Sequence, residues 1–395
     1  MRRPFVPMLL AALTVLVAAC EKKAQPAPTS EPAAASTGAP SANTDTVLIG
    51  QVGSLTGSEA TFGVSARNGI AMAVAEANAT GGVKGRKLEV RVYDSQGRPE
   101  EAAQAATRLI TQDKVAVILG EAASTNSMAM ADKAQAAGVP MITPSSTNPA
   151  VTRKGDYIFR VCFIDPFQGY VMAKFARDHL KLGRVAVLQD NKSAYSVGLT
   201  DVFSRKFSEM GGAIVANESY SKGDTDFRSQ LTAIKETKPE ALFVPGYYTD
   251  VGVVARQARE LGLMVPLLGG DGWESDKLFE LGGAAIEGSY YSNHYSVDNP
   301  DSRVQDFITK YKATNGAVPD SVAALAYDAA RLAIDAMKRA PNLSGAAIRD
   351  ALASTQDFPG VAGTIDLDKN RDAVKEAVIL KVEGGKTKFI TTVKP

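Results

Sequence analysis

The chain is poor in the residues that build metal and nucleophile sites. Its 395 residues include two cysteines, Cys20 and Cys162, and two histidines, His179 and His294. Two distant thiols cannot supply a cysteine-based metal cluster. Two imidazoles leave a zinc site or a His-dependent triad poorly supplied, so neither metal nor cofactor is expected. An excess of charge is lacking too: 44 Lys and Arg stand against 43 Asp and Glu, a net charge of +1. No basic run is interleaved with aromatics, so nucleic acid is not an expected partner. There is no G-x-S-x-G elbow, no G-x-G-x-x-G after the first strand and no P-loop. The glycines of Val52-Gly53-Ser54-Leu55-Thr56-Gly57 are wrongly spaced for a dinucleotide turn. An enzyme is therefore not expected. Long apolar runs are missing as well: Met8–Val17 falls far short of the ~20 residues of a membrane-spanning helix.

That short run has another meaning. Arg2 and Arg3 precede it, and Ala18-Ala19-Cys20 close it, which is the pattern of a signal peptide over residues 1–19. Leu16-Val17-Ala18-Ala19-Cys20 resembles the bacterial lipobox, in which cleavage exposes the cysteine for acylation. The resemblance implies lipid on Cys20, a protein anchored to a membrane rather than spanning it. Cys162 is then left without an intrachain partner and reads as a buried structural thiol. After Cys20, residues 24–44 are almost all Ala, Pro, Ser and Thr, with one charge at Glu31. Such a stretch cannot bury enough apolar surface to fold. As a tether over residues 20–44 it reaches roughly 25–30 Å.

From Asp45 onward the chain is long enough for two domains of ordinary size. With 45% hydrophobic and 22% charged residues, it has the composition of a globular protein. β-Branched runs alternate with stretches of helical period. The strand-like runs are Val47–Val52, Leu88–Tyr93, Val115–Leu119, Val139–Ile142, Tyr157–Phe163, Val185–Leu188, Ala213–Val215, Ala241–Val244 and Gly288–Ser292. Between them lie helical patterns such as Gly63–Asn78, Glu100–Gln112, Phe167–Leu182 and Asp250–Leu261. Residues 299–353 read as mostly helical, and the tail from Gly363 to Val393 as strands with a Gly384-Gly385 turn. This alternation predicts an α/β fold with parallel sheets covered by helices. Roughly a dozen strands exceed one comfortable sheet, so two Rossmann-like lobes are expected.

In such folds ligands bind beyond the carboxyl ends of strands, where helix N-termini present free N–H groups. Val115–Leu119 runs into Gly120-Glu121-Ala122-Ala123-Ser124-Thr125, and Val139–Ile142 into Thr143-Pro144-Ser145-Ser146-Thr147. Ser124 or Thr125 suits a plain helix cap. Taken together, the two hydroxyl-rich turns offer what a carboxylate requires. In the second half, Ala241–Val244 leads to Pro245-Gly246-Tyr247-Tyr248, and Leu267–Gly270 to Asp271-Gly272-Trp273. Asp271 among glycines and aromatics suits an ammonium group, or else a simple turn. Tyr195 begins a further helix and serves either the site or packing. Anion-binding groups on one lobe and a carboxylate on the other would recognise a zwitterion.

These residues resemble the leucine/isoleucine/valine-binding family of periplasmic binding proteins, of the type I fold. The likeness runs from Val47 on and rests on the order of short landmarks. They are Ile49-Gly50-Gln51-Val52-Gly53-Ser54-Leu55-Thr56-Gly57, Asn68-Gly69-Ile70 and Asn78-Ala79-Thr80-Gly81-Gly82, then Tyr93-Asp94-Ser95, Ile142-Thr143-Pro144-Ser145-Ser146-Thr147, Phe159-Arg160, Phe167-Gln168-Gly169 and Gly270-Asp271-Gly272-Trp273. The resemblance implies a carboxylate held at Ser124, Ser145 and Thr147. It implies an ammonium held by Asp271 with help from Tyr195 and the Ser145 carbonyl, and a side chain lined by Tyr247. Phe62 stands where leucine-type members carry Tyr, which removes one polar contact.

The resemblance further implies lobes of residues 45–164 plus 294–376 and 165–293 plus 377–395, joined by a three-strand hinge near Ile164, Asn293 and Glu376. Its expected partners are an amino acid, an ABC permease and the membrane holding the lipid. The expected state is a monomer in the periplasm. A sensor subunit of the same fold, or a binder of an amide or urea, is the alternative.

Overall fold

A computed structural model of the chain describes residues 46–395. The expected signal peptide, Cys20 and tether lie outside the described residues.

Strand and helix alternate as the sequence requires. β1 (Thr46–Gly53), β2 (Lys87–Asp94), β3 (Val117–Leu119), β4 (Met141–Thr143) and β5 (Ile158–Arg160) form an all-parallel sheet in the order β2-β1-β3-β4-β5. β3 and β4 are buried throughout, as parallel strands covered on both faces must be. β2, at the edge, exposes half its side chains. A second parallel set comprises β6 (Arg184–Asp190), β7 (Ala213–Tyr220), β8 (Ala241–Phe243), β9 (Leu267–Gly269) and β10 (Tyr290–Asn293). A small antiparallel sheet of β11 (Phe358–Gly360), β12 (Gly363–Leu367) and β13 (Ala373–Val374) follows. Finally β14 (Ala377–Glu383) and β15 (Lys386–Val393) join the second sheet antiparallel, giving β15-β14-β10-β9-β8-β6-β7.

The chain therefore passes between the two main sheets after β5, after β10 and after β13. After β5 it enters helix Asp165–Lys174, which packs on helix Ala194–Glu209 beside the second sheet. After β10 it returns: helix Ser321–Arg339 packs along helix Ala60–Ala79 of the first lobe. Helix Ser321–Arg339 is almost wholly interior, and its many alanines let the axes approach. Each Phe, Leu or Trp fully buried contributes about 1.5–3 kcal/mol. The largest, Trp273, is completely covered, and its indole donates to the Val244 carbonyl at 2.9 Å. Among the described residues no helix is long and apolar enough to cross a membrane.

Some expected boundaries move. β4 starts at Met141 rather than Val139, because Pro140 has no N–H to give a ladder. β7 continues past Val215 to Tyr220; it is an edge strand, half exposed, so polar Asn217, Glu218 and Ser219 sit in it without cost. The second sheet is mixed rather than purely parallel, and the strand at Phe358–Gly360 was not expected.

Candidate ligand-binding site

The carboxyl ends of the strands meet across a gap between the lobes, and helices start there from both sides. Ser124 opens helix Ser124–Ala137, Ser321 opens helix Ser321–Arg339, and Phe62 is in the first turn of helix Ala60–Ala79. From the second lobe, Tyr195 stands in the first turn of helix Ala194–Glu209 and Tyr247 is the N-cap of helix Tyr248–Glu260. These termini surround a cavity whose wall includes Phe62, Ser124, Ser145, Tyr195, Tyr247 and Asp271. Six of the seven expected ligand-binding residues thus share one cavity, although they span the sequence from Phe62 to Asp271.

Thr147 differs. It is not in the cavity wall; its hydroxyl is buried with no hydrogen-bond partner, and its carbonyl accepts from the Asp165 amide at 3.0 Å. Neither Ser124 nor Thr125 caps a helix. The N-cap is Ala123, and the Glu121 carboxylate takes the Ala122 and Ala123 amides at 2.7 and 3.2 Å. That frees the Ser124 hydroxyl to accept from the Asn148 amide at 3.2 Å. The Thr125 hydroxyl accepts from the Ala194 amide of the other lobe at 3.0 Å.

The loop around Ser145 is fixed from below. The wholly buried Arg160 guanidinium donates to the Ser146 carbonyl, to the Asn148 carbonyl at 2.9 Å and to Asp372 at 2.5 Å. The Thr143 hydroxyl donates to the Glu121 carbonyl at 2.6 Å, which ties the two hydroxyl-rich turns together. Gly120, where the first turn leaves β3, has φ +115°, and a Cβ there would overlap the Val52 carbonyl.

Asp271 begins a short turn, Asp271–Trp273, but its side chain does not cap it. Instead Oδ1 accepts from Gln168 Nε2 at 2.8 Å and Oδ2 from His294 Nε2 at 3.0 Å. Glycine at 270 lets these partners close in: a Cβ would stand 2.8 Å from Gln168 Nε2 and nearer still to the Tyr195 hydroxyl. The Tyr195 hydroxyl accepts from the Gly272 amide at 3.2 Å, and the ring stacks on Tyr247 with centroids 5.4 Å apart. Phe62 meets Tyr247 edge-on at 5.9 Å, completing an aromatic wall.

His294, Ser321, Val322 and Ala122 also line the cavity and had no expected role. Burial pushes the His294 imidazolium down against the pull of Asp271, which favours the neutral ring, and a proton on Nε2 suits the Asp271 carboxylate, which can only accept. The Ser321 hydroxyl is buried without a partner. A Pro319-Asp320-Ser321 helix start was the available signal for Ser321. The wall therefore carries one carboxylate, several hydroxyls and the positive ends of several helix dipoles.

The sequence of residues 46–387 matches the model of a family described as periplasmic binding proteins. The chain belongs to the periplasmic binding protein family. A Leu/Ile/Val-binding protein, BraC3, of Rhizobium johnstonii is 30% identical over 352 residues, covering 88% of this chain and 94% of the relative. The crystal structure of a leucine-binding protein, LivK, from Thermotoga maritima superposes with a TM-score of 0.85 at 38% identity, over 88% of this chain and 99% of that one. The branched-chain amino acid transporter substrate-binding protein LivJ from Streptococcus pneumoniae, solved with isoleucine, superposes with a TM-score of 0.84 at 35% identity, over 89% and 100%. As a periplasmic binding protein of this branch, the chain has the type I fold and is a solute binder rather than an enzyme.

Proposed function

We propose that this chain is the extracytoplasmic substrate-binding protein of an ABC importer and captures a neutral amino acid, branched-chain or closely related. One observation carries the reading: the cavity between the lobes sets a fixed carboxylate, Asp271, opposite helix N-termini and hydroxyls. A zwitterion satisfies both poles, whereas a plain carboxylic acid leaves the Asp271 charge without a counter-ion and adds a second negative charge to the same cavity. The α-ammonium goes to Asp271, with the Tyr195 hydroxyl and the Ser145 carbonyl. The carboxylate goes to Ser124, the Ser145 amide and Thr147. An aliphatic side chain lies against Phe62 and Tyr247. The names of the Rhizobium and Streptococcus relatives support a branched-chain ligand.

The lobes close on the ligand about three crossings near Ile164, Asn293 and Glu376, and binding energy from both favours the closed form a permease recognises. Lipid on Cys20 and the tether after it keep the body beside that permease. A thermal-shift panel of amino acids, amides and aromatic carboxylates tests the ligand class. A true ligand at ~100 times its Kd adds about 2.7 kcal/mol, so leucine, isoleucine or valine should raise the melting temperature by several degrees. A shift with amides or aromatic acids alone contradicts the reading.

A further inference from the structure

The partners of Asp271 come from the segments that carry the chain between the lobes. Gln168 lies in helix Asp165–Lys174, the first element after the crossing that follows β5. Its Nε2 also lies 3.0 Å from the Ser292 hydroxyl in β10. His294 directly follows β10, at the second crossing. Each oxygen of the Asp271 carboxylate is thus tied to a different crossing, by bonds of 2.8 and 3.0 Å.

His294 is itself tightly held. Its ring stacks on Phe163 with centroids 3.8 Å apart, its amide donates to Asn293 Oδ1 at 2.8 Å, and it is almost fully buried while forming part of the cavity wall. A carboxylate has about four acceptor positions. Two fixed donors orient it and still leave lone pairs facing the cavity.

We propose that His294 is a positioning residue for ligand recognition: its Nε2–H sets the angle at which Asp271 meets the ligand's ammonium, and it joins that contact to the crossing after β10. The proposal rests on the reading of Asp271 as the ammonium's counter-ion. It differs from a packing role in what it affects. A packed ring serves every ligand alike, whereas a group that aims Asp271 serves only ligands that bear an ammonium.

The test compares leucine with 4-methylpentanoate, the same acid without its amino group, by calorimetric titration of the wild-type chain, His294→Phe and His294→Gln. Phe keeps the stack on Phe163 and lacks the donor; Gln restores an N–H near the position of Nε2. The wild type should prefer leucine strongly. His294→Phe should lose about tenfold in leucine affinity, the scale of a hydrogen bond to a charged group, with little change for 4-methylpentanoate. His294→Gln should hold the ratio within about threefold of wild type. A wild type that does not prefer leucine overturns the reading of Asp271 and not the role of His294 alone. A wild type that prefers leucine, with a ratio unchanged in His294→Phe or both ligands weakened equally, overturns the role of His294. Should His294→Phe not fold, His294→Leu, which also lacks the donor, decides: a ratio within about threefold of wild type in that variant overturns the proposal.

Discussion

At the scale of single residues, the strand-end side chains of the site were legible and their supports were not. Asp271, Tyr247 and Ser145 stand where runs of strand character stop, and that local signal is enough to point at them. His294 and Gln168 touch Asp271 from 23 and 103 residues away. A lone His after a strand or a Gln early in a helix reads equally as a packed group. Thr147 shows the converse: its motif was plain, yet the residue is buried outside the cavity wall. Ser124→Ala removes one neutral hydroxyl while backbone donors remain, so affinity should fall by about fivefold, near 1 kcal/mol, in a calorimetric titration. Cys162 is wholly buried and burial pushes its thiol up to about 12. Without thiolate there is no reaction, so a thiol reagent should label Cys162 only after denaturation. Rapid labelling of the native chain would show that β5 and its neighbours open readily.

At the scale of elements, the helices and central strands follow from apolar period, whereas the edges depend on partners the sequence does not name. β14 and β15 were visible as strands, but their antiparallel entry into the second sheet is set by β10, far back in the chain. β11 is three residues with a proline, too short to carry a period. The segment next to it matters for the site: Asp372, just before β13, receives Arg160, which in turn holds the Ser146 and Asn148 carbonyls. Removing one partner of a buried ion pair typically costs about 3–5 kcal/mol. Arg160→Met should therefore lower the denaturation midpoint substantially, and affinity in the folded fraction should fall as the Ser145 turn loosens. A midpoint within experimental error of wild type would show that Arg160 is not the support of that turn.

At the scale of the whole molecule, two lobes meet around the cavity with buried carboxyls at the seam. Glu59 of the first lobe pairs with Lys222 of the second, and burial, outweighing Lys222, pushes its carboxyl up to about 7. Glu274 of the second lobe accepts the Ser321 amide of the first at 3.3 Å, and burial pushes it likewise to about 7. In an open cleft both return toward ordinary values near 4.3. The closed form then binds protons that the open form has released, so closure is most favoured below the open-state value and weakens as pH rises through about 7. Ligand affinity should accordingly fall between pH 5.5 and 8, with net proton uptake on binding, and Glu59→Gln should flatten the profile. Affinity that rises across that window would reverse the assignment of these groups.

The account stands or falls on the pairing of a ligand ammonium with Asp271 across the closed cleft. Calorimetric titration of the Asp271→Ala chain with the amino acid the wild type binds is the direct measurement. Truncating one partner of a buried, hydrogen-bonded charge pair costs roughly 2–5 kcal/mol, so affinity should drop about thirtyfold or more at ~1.4 kcal/mol per tenfold. An affinity within about threefold of wild type, less than ~0.7 kcal/mol, in a folded Asp271→Ala chain would remove Asp271 from the site and contradict the account.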